Sequence, residues 1–328
     1  MRTSPFTRLD RAVGEVGLGC WQLGADWGDV DDELSQAILG AAADAGVTLF
    51  DTADVYGDGR SETIIREVLK TRSGPRPFVA TKAGRRLNPH TVEGYTKKNL
   101  ESFIDRSLKN LGVDCLDLVQ LHCPPPEAFY RPEVFAAMDD LQHAGKIKAY
   151  GVSVEKVEEA LKAIEFPGVV SIQIIYNLFR QRPADLFFRE AARRGVAVIA
   201  RVPLASGLLS GKITAATQFA DDDHRAFNRH GEAFDVGETF AGVPLEIGLQ
   251  AVAELQKLVP QGASMAQFAL RWILMDGAVT VVIPGARNAA QAKANAAAAA
   301  LAPLTADTMT AAREIYGRLI APHVHQKW

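Results

Sequence analysis

Short apolar runs alternate with amphipathic segments along nearly the whole chain. The apolar runs are five to seven residues long, and the longer segments between them repeat apolar positions at helical spacing. This alternation is typical of βαβ units. The predicted strands, about eight in number, are VGLGC (16–20), LFDTA (49–53), FVATK (78–82), LDLVQLH (116–122), IKAYGVS (147–153), SIQIIYN (171–177), AVIARVP (197–203) and VTVVIPG (279–285).

The apolar character of these strands indicates the fold class. Strands that are apolar on both faces belong in a parallel sheet covered by helices, and eight such units can close into a (β/α)8 barrel. A doubly wound sheet would instead need a Gly-rich turn between its first strand and a helix. Since GLGCWQLG (17–24) is not followed directly by a helix, the sequence favours a single (β/α)8 TIM barrel of the α/β class, with residues 1–328 in one domain.

The segment 204–243, after the seventh predicted strand, interrupts the alternation. It is rich in Gly, Asp and Phe and has no clear apolar period. Loops of this length in compact domains usually have a function. We therefore predict a lid or clasp here. After the last predicted strand we predict a C-terminal helix and tail.

Composition and charge narrow the possible partners. With 36 Lys and Arg against 39 Asp and Glu, the formal net charge is -3, which indicates neither nucleic acid nor an anionic membrane surface as a partner. No apolar run reaches the roughly 18 residues of a membrane span. The three cysteines, Cys20, Cys115 and Cys123, lack the spacing of a zinc site or a disulfide framework. We expect a soluble cytoplasmic protein without a metal.

Polar side chains recur near the carboxyl ends of the predicted strands. Because successive side chains of a strand point to opposite faces, Asp51, Lys82 and His122 each share a face with apolar residues earlier in the same strand. Later strands carry Ser153, Gln173, Asn177 and Arg201. Buried charges are costly without partners, so this convergence indicates either an ion-pair network or an active site. The number of contributing strands favours an active site, which in these barrels lies at that rim.

Four polar groups at this rim form a set suited to proton transfer. Tyr56 lies in the loop DVYGDG after the second strand and can reach the rim. A phenol with the usual pKa of about 10 is a poor acid near neutrality, but Lys82 and His122 beside it would lower that pKa. Asp51 would hold the Lys82 cation. Each residue taken singly has an ordinary structural explanation, whereas the set predicts protonation of a carbonyl oxygen by Tyr56.

Several motifs extend this interpretation over nearly the whole chain. They are GLGCWQLG (17–24), FDTADVYGDGRSE (50–62), ATKAG (80–84), DCLDLVQLHCPPP (114–126), GKIKAYGVS (145–153), QIIYNLFRQR (173–182), PLASGLLSGK (203–212) and VIPGARNAAQAKAN (282–295). With these motifs in this order, the chain resembles the aldo-keto reductases. The last two segments are most similar to the branch that holds bacterial stress-type reductases and potassium-channel β subunits.

The resemblance implies a fold, a reaction and roles for the four rim residues. The fold is a (β/α)8 barrel that binds NADPH, and the reaction is the reversible reduction of aldehydes and ketones to alcohols. The resemblance implies that Tyr56 is the general acid and that Asp51 pairs with Lys82. Lys82 and His122 would tune Tyr56 and orient the carbonyl.

The resemblance also implies a set of cofactor contacts. Ser153 and Gln173 correspond to residues that hold the nicotinamide carboxamide. The matching positions of the pyrophosphate loop and the adenosine end are Gly207, Leu208, Ser210, Lys212, Gly285, Arg287, Gln291 and Asn295. Because Arg287 supplies a cation suited to a 2′-phosphate, NADP is favoured over NAD, and NADPH over NADH.

Three positions depart from the family pattern. Val154 stands where many relatives carry a polar residue, and Ala294 stands where an acidic residue often contacts adenine. Arg201, which we count among the predicted cofactor contacts, replaces an aromatic residue that stacks on nicotinamide. Its planar guanidinium could stack there or bind an anionic group of the substrate.

The substrate pocket and two other classes of function complete the expectations. Trp21 in the first loop is expected to line the pocket with Tyr56 and His122, along with segment 204–243 and the tail to Trp328. The chain could instead be a redox-sensing subunit that binds the nucleotide with little turnover. A Schiff-base aldolase using Lys82 is a third possibility, against which the adenosine-end motif argues. The substrate is expected to be a small carbonyl compound, and the oligomeric state is left open.

Overall fold

Ten β-strands form two sheets in residues 1–24 and 31–328, the part of the chain that the computed structural model describes. Two strands form an N-terminal hairpin, β1 (Thr3–Phe6) and β2 (Arg11–Gly14). The others are β3 (Leu18–Gly19), β4 (Leu49–Asp51), β5 (Phe78–Ala83), β6 (Leu118–His122), β7 (Tyr150–Ser153), β8 (Val169–Ile175), β9 (Ala197–Arg201) and β10 (Val279–Val282). Every predicted strand is present, with ends displaced by a few residues.

Helices separate the barrel strands. They are α1 (Asp32–Asp44), α2 (Arg60–Thr71), α3 (Lys97–Leu111), α4 (Pro132–His143), α5 (Val157–Ala163), α6 (Phe187–Arg193), α7 (His224–Phe227), α8 (Leu245–Leu255), α9 (Met265–Ile273), α10 (Ala289–Ala297), α11 (Ala306–Ile315) and α12 (Ala321–Val324). Within the described ranges, none of the helices has both the length and the apolar character needed to span a bilayer.

The eight-stranded sheet curls into a barrel. Its strands pair in parallel and in chain order from β3 to β10. The two edges meet at a parallel bridge between Val16 and Val282, where the Gly17 amide donates to the Val282 carbonyl at 2.8 Å. The Gly19 amide donates to the Pro284 carbonyl at 3.0 Å one step further along. The predicted (β/α)8 TIM barrel is therefore confirmed.

The barrel interior changes from apolar to polar along the strands. Leu49, Phe78 and Leu118, near the amino-terminal ends of their strands, belong to a small apolar cluster inside the barrel. The same inward faces, nearer their carboxyl ends, carry Asp51, Lys82, His122, Ser153, Gln173 and Arg201. The strand parity deduced from the sequence is confirmed, and it gathers the polar side chains at one rim.

The N-terminal hairpin seals the opposite end of the barrel. Phe6 and Val13 are fully buried within the interior cluster, and the rings of Phe6 and Phe78 lie 5.9 Å apart. Arg8, in the turn between the two strands, donates to the Val169 carbonyl at 2.8 Å. The sequence patterns gave no indication of this hairpin, because its four-residue strands are too short for a recognisable period.

Segment 204–243 is held by polar contacts within itself and by a contact with the C-terminal tail. Asn228 is fully buried; its amide nitrogen donates to Thr239 Oγ1 at 3.1 Å, and its amide oxygen accepts from the Phe234 amide at 2.9 Å. Trp328 in the C-terminal tail donates from Nε1 to Asp235 Oδ1 at 2.9 Å. The segment predicted as a lid or clasp thus contacts the C-terminal tail at Asp235.

Replacing Phe6 with Ala should separate stability from catalysis. Truncation of a fully buried aromatic side chain typically costs about 3–5 kcal/mol of unfolding free energy. Since Phe6 lies at the end of the barrel away from the rim, kcat/KM of the folded variant should stay within about twofold of wild type. Urea unfolding and steady-state assays test this, with the exposed Thr3→Ala in the same hairpin as the control. A loss of kcat/KM without loss of stability would contradict the assignment.

Candidate active site

An ion pair between Lys82 and Asp51 lies at the centre of the rim. Lys82 Nζ donates to Asp51 Oδ1 at 2.5 Å and to the Thr52 carbonyl at 2.8 Å. The other carboxylate oxygen, Oδ2, accepts from Gln173 Nε2 at 2.6 Å and from Gln120 Nε2 at 3.2 Å. Lys82 and Asp51 are only 1% and 3% exposed. These hydrogen bonds offset part of the cost of removing both charges from water.

Tyr56 contacts this ion pair from the loop after β4. Its hydroxyl accepts a hydrogen bond from Lys82 Nζ at 3.3 Å. Its ring packs edge-on against the His122 ring at a centroid distance of 6.0 Å and stacks on Trp21 at 6.1 Å. The structure therefore brings together the four residues of the predicted catalytic set, while their roles stay predictions.

A close approach of two backbone segments positions Tyr56. The residues Tyr56–Gly59 form a turn in which Gly57 has a φ of 58°, a conformation that favours glycine. A Cβ atom added to Gly24 in the first loop would lie 2.6 Å from the Gly57 amide nitrogen. Glycine at both positions lets the loops touch, which brings Trp21 against the Tyr56 ring.

Burial and neighbouring charges determine the pKa values of these groups. Burial raises the pKa of Tyr56 to about 12, because desolvation outweighs the attraction of Lys82. The expected lowering of this pKa is therefore wrong for the present structure. Burial alone would lower the pKa of Lys82, but Asp51 and Tyr56 raise it above its usual value. Burial, with Arg85 nearby, lowers the pKa of His122 well below its usual value.

Three of these side chains, Tyr56, His122 and Arg85, line a pocket of about 150 Å³. Tyr56 and His122 supply its polar wall next to the ion pair. Its apolar and charged walls are formed by Trp21, Val55, Phe234, Arg85 and Glu238. The predicted places of Trp21 and of segment 204–243 in the pocket wall are thus observed, whereas Trp328 instead anchors that segment from outside the pocket.

A buried network of four charges adjoins the pocket. Arg201 Nη2 donates to Glu155 Oε2 at 2.8 Å and to the Val154 carbonyl at 3.1 Å, and Nη1 lies 3.3 Å from Glu238 Oε2. Glu238 Oε1 accepts from Arg85 Nη1 at 3.2 Å. Arg201 is therefore bound to two carboxylates of the protein. The sequence predicts that it stacks on nicotinamide or binds an anionic group of the substrate, and neither prediction includes this arrangement.

The two carboxylates of this network differ in their pKa. Burial raises the pKa of Glu155 to about 7, against the attraction of Arg201. Burial acts on Glu238 in the same direction, but two arginines, Arg201 and Arg85, lower its pKa to about 2. Glu238 is therefore a carboxylate throughout the neutral range, and Glu155 changes its charge within it.

Asp54, two residues before Tyr56, is an unusual buried acid. It is 0% exposed, and neither carboxylate oxygen has a hydrogen-bond partner within the described residues. Burial, with Glu62 adding repulsion, raises its pKa from 3.8 to about 7. The folded state therefore binds the proton more tightly than the unfolded state. The resulting stabilisation is fully present below pH 3.8 and is lost as the pH rises through about 7.

Asp54→Asn should remove this pH dependence. The stability advantage of the variant over wild type should grow by about 2 kcal/mol of unfolding free energy from pH 5 to pH 7, because the amide cannot ionise. Urea unfolding at several pH values measures the difference, and the exposed Asp221→Asn serves as the control. A stability difference that stays constant over this range would contradict the raised pKa of Asp54.

The predicted cofactor residues lie at the carboxyl ends of adjacent strands. Ser153 ends β7 and is in register with Gln173 of β8. Gly207, Leu208 and Ser210 belong to the turn Ala205–Ser210 after β9, and Lys212 is exposed just beyond it. Since β7, β8, β9 and β10 are neighbours in the sheet, these positions and the loop after β10 follow one continuous arc of the rim.

The residues predicted to contact the adenosine end surround the start of α10. The backbone amide of Arg287 donates to Gln291 Oε1 at 2.8 Å. The backbone amide of Gln291 donates to the side chain of Asn288, the N-cap residue of α10, at 2.9 Å. Asn295 Nδ2 donates to the Gly285 carbonyl at 3.0 Å. The side chain of Arg287 is exposed just before the helix begins. All four predicted positions therefore lie together.

Several residues of the site were not predicted from the sequence. Gln120 shares its strand face with His122, so strand parity could have identified it as a partner of Asp51. Arg85, Glu155 and Glu238 lie beyond strand ends, where parity no longer applies. Only the folded chain places Glu238 against Arg85, 153 residues away in sequence.

Comparison with known proteins agrees with this architecture. The Aldo/keto reductase family profile matches residues 15–317. Aldo-keto reductase YhdN of Bacillus subtilis (strain 168) is 33% identical over 86% of this chain and 84% of its own length. Aldo-keto reductase yakc [NADP(+)] of Schizosaccharomyces pombe is 29% identical over 84% and 81%. The NADH-specific methylglyoxal reductase of Escherichia coli is 26% identical over 91% and 93%.

A solved structure supports the same relationship. The glycerol dehydrogenase AKR11B4 from Gluconobacter oxydans superposes with a TM-score of 0.76 at 28% identity, covering 98% of this chain and 96% of that one. The chain therefore belongs to the Aldo/keto reductase family and is an NAD(P)H-dependent oxidoreductase that acts on a small-molecule substrate.

Proposed function

We propose that this enzyme reversibly reduces aldehydes or ketones to alcohols, with NADPH as its cofactor and Tyr56 as the general acid. The observation that carries the proposal is the hydrogen bond from Lys82 to the Tyr56 hydroxyl beside the pocket. It puts a proton donor, backed by a fixed cation, where a carbonyl oxygen can approach.

The chain's own residues account for the proton transfer. Tyr56 carries its proton at neutral pH, because its pKa is about 12. As the proton moves to the carbonyl oxygen, negative charge develops on the Tyr56 oxygen, 3.3 Å from Lys82 Nζ. Lys82 stabilises this charge more than it stabilises the neutral phenol, which lowers the barrier. When bound, the cofactor supplies the hydride for the carbonyl carbon.

His122 supports this step as a neutral imidazole. Its lowered pKa leaves it uncharged at neutral pH, so it adds no second positive charge beside Lys82. Its edge-on contact with the Tyr56 ring holds the phenol in the pocket wall. In the oxidation direction, the Tyr56 oxygen accepts the hydroxyl proton of the alcohol, and Lys82 and His122 keep the same positions.

An extended dinucleotide would follow the arc of the rim over β7 to β10. A Cβ atom on Gly285 would lie 2.7 Å from Gln22 Oε1, so glycine there lets the loop after β10 pack directly against the first loop. Ser153 and Gln173 would hold the carboxamide, Gly207 to Lys212 the pyrophosphate, and the start of α10 the adenosine. The exposed Arg287 supports NADPH over NADH, as does the NADP(+) in the name of the S. pombe relative. The E. coli relative is named for NADH, and the Arg287→Gln variant tests which cofactor this chain prefers.

Schiff-base chemistry at Lys82 is the less favourable alternative. A nucleophilic amine must be uncharged, whereas Asp51 and Tyr56 raise the pKa of Lys82. The ammonium is also engaged by three hydrogen-bond acceptors. These contacts favour a Lys82 that stays positively charged.

We also propose that residues 1–328 form one domain. The N-terminal hairpin seals the barrel at one end, and the C-terminal Trp328 binds the segment that covers the other. Both termini therefore take part in the same packed unit.

Tyr56→Phe should abolish turnover and leave cofactor binding intact. General acid catalysis contributes about 10²–10⁴ in rate, and Phe preserves the ring contacts while removing the proton. Steady-state reduction of an aldehyde panel measures the rate, and quenching of tryptophan fluorescence measures NADPH binding. Tyr130→Phe at an exposed tyrosine is the matched control.

The two outcomes separate the competing functions. Full turnover by Tyr56→Phe would refute the role of Tyr56 as the acid. A wild-type protein that binds NADPH tightly but reduces no aldehyde or ketone would instead favour a redox-sensing subunit.

Arg287→Gln should weaken the use of NADPH but not that of NADH. A charge-assisted hydrogen bond contributes about 1.5–3 kcal/mol, so KM for NADPH should rise about 10- to 100-fold. NADH lacks the 2′-phosphate, and its KM should stay nearly unchanged. Lys293→Gln, an exposed position in α10, is the control. Equal increases in KM for both cofactors would contradict 2′-phosphate recognition by Arg287.

A further inference from the structure

The candidate pocket contains a cation, Arg85, that takes no direct part in the proposed proton transfer. Arg85 lies just beyond the end of β5 and lines the pocket with Tyr56 and His122. Its Nη1 atom is 3.5 Å from His122 Nε2. A group bound to this guanidinium would therefore lie next to the residues that face the reacting carbonyl.

A carboxylate of the protein already occupies the space beside this cation. Glu238 Oε1 accepts from Arg85 Nη1 at 3.2 Å, and Oε2 lies 3.3 Å from Arg201 Nη1. Glu238 belongs to segment 204–243, which is not part of the barrel sheet. The space between the two arginines thus has the size and the charge for a carboxylate.

Arg85 retains hydrogen-bonding capacity that Arg201 has used. Within the described residues, both hydrogen bonds of Arg85 come from Nη1, which leaves Nε and Nη2 available, and its side chain is 26% exposed. Arg201 is 8% exposed and is bound by Glu155 and the Val154 carbonyl. A guanidinium with donors to spare can bind a carboxylate in bidentate geometry.

The pocket wall combines one cation with an apolar surface. Among the residues that line it, Arg85 carries a positive charge and Glu238 a negative charge, so a shift of Glu238 away from Arg85 leaves a cation facing the pocket. The other walls, formed by Trp21, Val55 and Phe234, are apolar and suit the hydrocarbon part of a small molecule.

We propose that the substrate is an aldehyde or ketone that also carries a carboxylate, and that Arg85 binds this carboxylate in place of Glu238. The inference rests on the proposed carbonyl reduction and names the substrate class for that site. Arg85 acts in specificity, since the proton transfer itself involves Tyr56, Lys82 and His122. Loss of Arg85 should therefore change KM for acidic substrates much more than kcat.

Matched pairs of acids and esters test the proposal. Glyoxylate, 4-oxobutanoate and 4-carboxybenzaldehyde are compared with their methyl esters in NADPH-dependent reduction. Wild type should prefer at least one acid over its ester by about tenfold or more in kcat/KM. Arg85→Gln should raise KM for that acid about 10- to 100-fold with a much smaller change in kcat, and any loss of kcat/KM for the ester should be at least about tenfold smaller than the loss for the acid.

The neighbouring arginine provides the control. Arg86 carries the same charge one residue along but pairs with the exposed Asp58 and does not line the pocket. Arg86→Gln should keep the wild-type ratio of acid to ester. Equal kcat/KM for every acid and its ester in wild type, or an equal loss for both in Arg85→Gln, would overturn the proposal.

A binding measurement separates this inference from the proposed function. Calorimetry with benzoate, which has a carboxylate and no carbonyl to reduce, should give a Kd at least about tenfold weaker for Arg85→Gln than for wild type. Such binding without reduction of any aldehyde would refute the proposed reaction and leave the carboxylate site standing. Good turnover of the esters, together with benzoate binding that does not depend on Arg85, would support the proposed reaction and refute the carboxylate site.

Glu238→Gln tests the displacement directly. This variant removes the resident carboxylate from Arg85, so benzoate should bind several-fold more tightly than to wild type. Unchanged or weaker binding would contradict the exchange of Glu238 for the carboxylate of the substrate.

Discussion

The buried ion pair between Asp51 and Lys82 is the interaction on which the rest of the site depends. Removing one partner of such a pair typically costs about 3–5 kcal/mol, because the other charge is left buried and uncompensated. Here the same carboxylate also satisfies the amides of Gln120 and Gln173. The same ammonium contacts the Tyr56 hydroxyl. Stability of the rim and placement of the proton donor therefore rest on one contact.

The barrel makes this arrangement possible because one end of its strands provides stability and the other end carries the charged site. Apolar residues and the N-terminal hairpin close one end, so that end contributes stability. The other end carries charges whose burial is balanced by partners: Asp51 for Lys82, and two glutamates for Arg201. Because Glu238 comes from segment 204–243, its ion pairs with Arg85 and Arg201 also connect that segment to the pocket. Binding of a substrate carboxylate at Arg85 would break one of these two ion pairs.

The fold and the core of the site could be predicted from the sequence because both depend on strand periodicity. Parity placed Asp51, Lys82 and His122 on inward faces, and the motifs around Tyr56 completed the set. Arg85 and Glu238 could not be predicted, since loops carry no period and the contact exists only in three dimensions. The sequence-based prediction of a lowered pKa for Tyr56 is wrong because burial, which the sequence does not give, outweighs the attraction of Lys82.

The most direct test of the central claim is the single-turnover rate of carbonyl reduction by Lys82→Met with saturating NADPH. The substitution removes the ammonium while keeping much of the side chain's length. If Lys82 stabilises the charge that develops on Tyr56, the rate of the folded variant should fall by about 10²–10³ or more. A rate within a few-fold of wild type would contradict the account.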